Sequence, residues 1–355
     1  MTGSGGDFTS SLFLGLRHGS AGLPEWAALT TGVPAALAER EPARRVAAAV
    51  AASQRAQAGV AARSALHALM DVLGTLPRRG DVVAIDAAAY PITEWAALRA
   101  AARGAVVRRY PHHRPELLRP PRGRRLVVVA DGWCAGCGRP APLPRLRSLA
   151  HAGDGVLVVD DSLAFGVLGR RDGPGFGDGT GTPRWWGLGH EGVVWVASLA
   201  KAYGAPMAVT TGPRDLVARL AAGGGNRTHS SPPTAADVAA ATRALDDPDR
   251  NAARRARLLR HTRVIGDVLG LRGPPFPMVS IRSAGPDEAR RWWRALRRQG
   301  IATVPQRSRC RDDIRLTALL RADHSERDVA RLAAALRQAA LRQLPPRDEL
   351  RRAAA

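Results

Sequence analysis

Residues 156–169 read VLVVDDSLAFGVLG, and residues 192–204 read GVVWVASLAKAYG. Each contains an unbroken, valine-rich apolar run, VLVV in one and VVWVA in the other. Runs of that length without polar alternation belong to strands covered on both faces, as in a parallel sheet. The first ends on Asp160-Asp161; the second ends on Ser198, with Lys201 three residues further on. Open α/β sheets bind ligands outside the carboxyl ends of their strands. The two strand ends therefore offer a carboxylate and an amine to one crevice.

The alternation of helix and strand extends in both directions from this core. Upstream, 42–58 is an Ala-rich helical run. The segment ARSALHALMDVLGTL is a helix opening at Ser64, a good N-cap. DVVAID, AVVRRY and LVVVA (126–130) read as strands, and TEWAALRAAARG and LPRLRSLAHAG as helices that close on glycine. MAVTTG (207–212) is a further strand. The Gly-rich stretch RRDGPGFGDGTGTP does not join a strand directly to a helix, so it is no dinucleotide fingerprint. Beyond 233 come helices at 234–246 and 249–270, a strand in PPFPMVSIRSA, helix 286–299, strands IATVP and DIRLTAL, and helix 325–343. The expected organisation is an irregular arm at 1–41, a large α/β domain at 42–233, a smaller α+β domain at 234–345 and a frayed tail at 346–355.

The 355 residues, 45% of them hydrophobic, are enough for more than one lobe. A net charge of +22 would suit a nucleic-acid partner. The arginines, however, are spread through Ala-rich helices over the whole chain, so the charge reads as a compositional bias. No apolar stretch spans a membrane and the N-terminus is not built as a signal peptide, which implies a cytoplasmic protein. One compositional fact weighs more. Of 53 basic residues, Lys201 is the single lysine. Arginine replaces lysine tolerably on a solvated surface, but not where an amine must lose its proton and attack a carbonyl. A lysine at one strand end and an aspartate at the next are what pyridoxal 5'-phosphate (PLP) chemistry needs. The amine attaches the cofactor, and the carboxylate keeps its pyridine nitrogen protonated.

Three blocks carry a family resemblance. They are GCGRPAPLPRLRSLAHAGDGVLVVDDSLAFGVLG (136–169), SLAKAYGAPMAVTTGP (198–213) and DIRLTALLRADHSERDVARLAAAL (313–336). The sequence resembles the class I/II aminotransferase superfamily of PLP-dependent enzymes, fold type I, and its motif pattern is closest to the α-oxoamine synthase (8-amino-7-oxononanoate synthase-like) branch. The resemblance runs, more thinly, from about residue 10 to about residue 340. It implies that Lys201 holds PLP, that Asp160 pairs with the pyridine nitrogen and that Ser198 contacts the phosphate. It further implies that Tyr90 stacks on the cofactor ring, and that the backbone of Ser64, Ala65 and Leu66 holds the phosphate at a helix start. Arg315 would bind a substrate carboxylate as a bidentate pair. Thr228 to Ser231 match a segment that reaches the partner subunit's phosphate, implying a homodimer. The implied substrates are an amino acid together with a keto acid or an acyl thioester.

The sequence also departs from the pattern. Where the branch carries His, and many aminotransferases Tyr, this chain has Leu163. Where a polar side chain usually faces the cofactor's phenolic oxygen, it has Trp133, Cys134, Ala135 and Gly136. A leucine can neither donate nor carry a proton. The reading therefore leans to an aminotransferase-like activity, with decarboxylative condensation as the alternative. A non-catalytic PLP-fold protein and a basic nucleic-acid binder stand behind both. WCAGC (133–137) imitates a thioredoxin-type dithiol, but prolines follow where its helix should begin. As half of a zinc site it lacks a second Cys/His pair, and it reads as a non-catalytic cysteine pair.

Overall fold

The computed structural model describes residues 6–19, 29, 32–37 and 39–341. The tail at 346–355 and residues 20–28 of the arm lie outside the described residues. The chain forms two compact units, one of Leu16–Cys134 and Arg139–Ala252, the other of the described parts of Met1–Gly15, Ala135–Gly138 and Ala253–Ala355.

The larger unit is built on seven strands: β1 (Ala58–Ala62), β2 (Val82–Asp86), β3 (Val106–Tyr110), β4 (Leu126–Asp131), β7 (Val156–Asp160), β8 (Val193–Ser198) and β9 (Ala208–Gly212). A two-stranded hairpin, β5 (Trp133–Cys134) with β6 (Arg139–Pro140), follows β4. The sheet order is β1-β9-β8-β7-β4-β2-β3. The five strands from β8 to β3 are parallel, whereas β9 runs antiparallel to both of its neighbours. The helices are α1 (Glu41–Gln54), α2 (Ala65–Thr75), α3 (Pro91–Ala102), α4 (Leu143–Ala152), α5 (Thr182–Trp185), α6 (Arg214–Gly223), α7 (Gly225–His229) and α8 (Ala235–Leu245), and α9 (Pro248–Val268) begins here.

The valine runs are unbroken because both faces of the sheet are buried. Val83, Val127, Val129, Val158 and Val196 face α2, α3 and α6, where Leu69, Val72 and Leu220 pack. The alternate residues Val82, Val128, Leu157, Val159 and Trp195 face α4 through Leu143 and Leu146. Each such side chain contributes about 1.5–3 kcal/mol on burial. The Ala-rich run expected as helix over 42–58 ends at Gln54, where Arg55 takes a left-handed conformation at φ 55°. The next segment, AGVAA, pairs with β9 as strand β1. Its small residues carry little strand propensity, so its pairing comes from the sheet edge rather than from pattern.

In the smaller unit, β10 (Met278–Arg282), β11 (Val304–Arg307) and β12 (Ile314–Leu319) form an antiparallel sheet in the order β10-β12-β11, with α10 (Pro286–Arg298) and α11 (Glu326–Leu341). Phe8 joins this unit through backbone bonds to Ala302 (2.9 Å) and Leu319 (2.8 Å). Among the described residues no helix is long and apolar enough to cross a membrane.

Candidate active site

One edge of the larger sheet gathers the chemistry. The parallel strands β2, β4 and β7 end on Asp86, Asp131 and Asp160, and β8 ends on Ser198. In register, Asp131 lies opposite Asp160 across β4 and β7. Because β9 reverses direction twice over, the end of β1 comes to the same edge. Ala62, Ala208 and Ser198 form one row across β1, β9 and β8. Two residues past Ala62, Ser64 caps α2 and accepts the backbone N–H of His67 at 3.4 Å. The N–H groups of Ala65 and Leu66, in the helix's first turn, have no acceptor inside the helix.

Lys201 follows β8 in a turn closed by Leu199 and Met207, whose backbones bond at 2.9 Å. The packing is close there. Gly166 has φ +85°, and a Cβ on it would stand 2.5 Å from that of Ala202. Burial holds the Lys201 amine below the ordinary lysine range, while the carboxylates of Asp160 and Asp131 oppose that shift. Asp160 accepts the N–H of Ser162 at 3.0 Å.

Two further acids make the site more unusual than the sequence reading foresaw. Burial, and then the neighbouring Asp160, push Asp131 well above the usual carboxylate range. One of its oxygens accepts the N–H of Tyr90 at 2.9 Å; the other, Oδ1, is buried with no hydrogen-bond partner. Asp161 is fully buried and pushed up to about 7, first by desolvation. It accepts from Thr182 through the backbone N–H at 2.9 Å and through the hydroxyl. Asp86 accepts from His112 Nδ1 at 2.7 Å, Ala88 N at 2.8 Å and His113 N at 3.1 Å. Asp131 was open to discovery from sequence, since LVVVAD ends as VLVVD does.

The other candidates are placed as follows. Ser198 is buried, and its hydroxyl accepts the N–H of Ala200 at 3.3 Å. Tyr90 caps the start of α3 with its backbone on Asp131, and the residue is 58% exposed. Thr228 lies exposed in α7 and donates to Gly224 O at 3.2 Å. Arg315 belongs to β12 of the smaller unit, where Asp313 already fills its fork at 2.8 and 2.9 Å. The donor set at the sheet edge fits PLP: an amine inclined to lose its proton, a strand-end carboxylate, and free N–H groups at a helix start.

No family model matches the chain. Its sequence is 34% identical over 291 residues to 8-amino-7-oxononanoate synthase of Halorhodospira halophila, covering 78% of this chain and 69% of the relative. The chain belongs to the α-oxoamine synthase branch of the fold type I PLP enzymes. A putative 8-amino-7-oxononanoate synthase of Thermosynechococcus vestitus is 26% identical over 352 residues, 93% of this chain and 87% of that one. Among solved structures, serine palmitoyltransferase from S. paucimobilis superimposes with a TM-score of 0.84 at 17% identity, over 94% of this chain and 86% of its own. The 8-amino-7-oxononanoate synthase of Francisella tularensis gives 0.77 at 18% identity, over 94% and 96%. The protein is thus a PLP-dependent transferase, and the fold expected from its strand pattern is the fold of the α-oxoamine synthases.

Proposed function

We propose that this α-oxoamine synthase relative condenses an α-amino acid with an acyl thioester. The bond from Cα to the carboxylate breaks and CO₂ leaves, a bond from Cα to the acyl carbon forms, and the thiol is released. The single observation behind this reading is the only lysine of the chain, half-buried just after β8 beside Asp160, in a sequence 34% identical to a synthase of that branch. Of the two reactions left open by the sequence, the relatives stand on the side of acyl transfer rather than amino transfer.

Bound at this edge, PLP would supply a sink for the electron pair left on Cα. Lys201 would attach it, Asp160 would hold its pyridine nitrogen protonated, and Ser198 with the N–H groups of Ala65 and Leu66 at Ser64 would take its phosphate. Tyr90 would cover the ring. Lys201 is also the group that takes and returns a proton at Cα, a task suited to an amine held below its ordinary range. Leu163 offers no proton of its own, which leaves that duty to Lys201. Arg315 would receive the substrate carboxylate on release from Asp313. Thr228 and its neighbours would reach a second copy's phosphate in a homodimer.

The test is product analysis of the holoenzyme. Incubation with each amino acid and an acyl thioester should release CO₂, free thiol and an aminoketone. A keto acid and the pyridoxamine spectrum, formed from the amino acid without CO₂ release, would return the reading to amino transfer.

A further inference from the structure

Two segments of the smaller unit meet, and each carries a cysteine. One is Ala135–Gly138, between β5 and β6; the other is the turn that joins β11 to β12. The sulfurs of Cys137 and Cys310 lie within 4.8 Å of each other. Both residues are half-buried, whereas Cys134 of the larger unit is buried. All three are thiols. One step between staggered rotamers swings a cysteine sulfur by about 3 Å, which spans the gap to bonding distance. Spacing in the sequence pairs Cys137 with Cys134; the fold of the smaller unit sets it against Cys310.

Local backbone fixes this approach. The turn after β11 is closed by the N–H of Ser308 on Asp313 O at 2.8 Å and by the N–H of Asp312 on Ser308 O at 2.9 Å. Asp312 is left-handed at φ 53°, and Gly138 turns the chain just after Cys137 at φ 67°. At Gly136 a Cβ would stand 2.6 Å from Ser308 Oγ and 2.8 Å from Cys310 Sγ, so only glycine lets the two segments come this close. The surroundings favour a reactive thiol. Ser308 Oγ lies 3.4 Å from Cys310 Sγ, where the hydroxyl can donate to a thiolate. Arg309 and Arg311 flank Cys310 in the chain. The acids of the turn are already engaged, Asp312 with Arg307 at 2.6 Å and Asp313 with Arg315 at 2.8 Å. Arg315 is held above the ordinary arginine range, first by its bond to Asp313 and also by the charges of Cys310 and Cys137. The same attraction, seen from the sulfur, favours the thiolate, the form that attacks a disulfide.

We propose that Cys137 and Cys310 form a site of reversible oxidation, at which a small-molecule disulfide converts the two thiols into one intramolecular disulfide. Cys310, beside Ser308, gives up its proton and attacks one sulfur of the reagent. A bond forms from Cys310 Sγ to that sulfur, and the reagent's other half leaves as a thiolate. Cys137 then gives up its proton and attacks Cys310 Sγ, and the second half of the reagent leaves as a thiolate. The two cysteines lose two electrons, the reagent gains them, and the two protons leave on its two thiols. The new bond ties Ala135–Gly138 to the turn that leads into β12, the strand that carries Arg315. This reading is independent of the reaction catalysed.

The experiment uses the full chain with its PLP, reduced and then equilibrated with oxidised glutathione in the absence of air. After an acid quench, the thiol count should fall from three per chain to one. Peptide mapping should show Cys137 linked to Cys310, with Cys134 still a thiol, and excess dithiothreitol should restore all three thiols. In Cys137→Ser the second step is blocked, so one glutathione should remain on Cys310. Cys134→Ser should form the Cys137–Cys310 link as the wild type does. Three thiols left after equilibration, or Cys134 linked to Cys137 in the wild type, overturns the site. Glutathione held on Cys134 instead of Cys310 in Cys137→Ser does the same. Should the variants fail to fold, the wild-type map decides alone, and absence of the Cys137–Cys310 peptide overturns the proposal.

Discussion

Replacing Asp161 by Asn should make the protein more stable at neutral pH, although it removes a fully buried, hydrogen-bonded acid. In the fold, desolvation first and the nearby Asp160 charge second raise this carboxyl to about 7 from 3.8, against the opposing bonds from Thr182. A group whose folded value lies above its unfolded one holds a proton in the folded state that the unfolded chain has given up. Its stabilising share is complete below about pH 4, falls as pH rises through the window, and is gone above about 7. Roughly three units at 1.36 kcal/mol each give a swing of about 4 kcal/mol. Asparagine stays neutral throughout. Its amide can still accept from the Thr182 N–H and donate to the Thr182 hydroxyl. Urea unfolding of both proteins, followed by tryptophan emission at several pH values, measures the difference directly. Near pH 4 the two should agree to within about 1 kcal/mol, and the variant should gain steadily until about pH 8, by 3–5 kcal/mol. A difference that stays flat across that range, or a variant that is the weaker at pH 8, would refute the burial argument.

Lys201→Arg should leave the circular dichroism unchanged while removing the cofactor's visible absorbance, and should lower turnover by at least about 10³-fold. Asp160→Asn removes the larger of the two carboxylate influences that keep Lys201 protonated. Labelling of the apoprotein's lysine by an amine-reactive reagent should then begin at lower pH, and activity should drop about 10²–10⁴-fold; an unmoved labelling profile would contradict the pairing. Gly166→Ala must fit a methyl against Ala202 at a left-handed φ, which should cost about 1–3 kcal/mol in urea unfolding. Arg315→Ala should weaken amino-acid binding by about 1.5–3 kcal/mol in calorimetry with PLP retained. Loss of PLP with unaltered amino-acid affinity would remove Arg315 from the substrate site.

What could be read in advance was whatever one continuous segment carries. The valine runs 156–160 and 193–198 declared a doubly covered sheet, because each residue in them must be buried whichever face it takes. Lys201 stood out in the sequence as the only lysine among 53 basic residues. The strand AGVAA escaped, since alanine and glycine carry no period and its partner β9 lies about 150 residues away. Asp131 closes its strand as visibly as Asp160 does, but its unusual state depends on register with Asp160, which no single segment records.

The lone buried amine after β8 gives the protein a built-in spectroscopic handle. Grown on isotope-labelled lysine, the chain would contribute one side-chain signal from a polypeptide of 355 residues, and that signal would come from Lys201. On the proposed attachment of PLP at Lys201, its chemical shift would follow protonation, cofactor attachment and substrate exchange in solution, without mutation or chemical tagging.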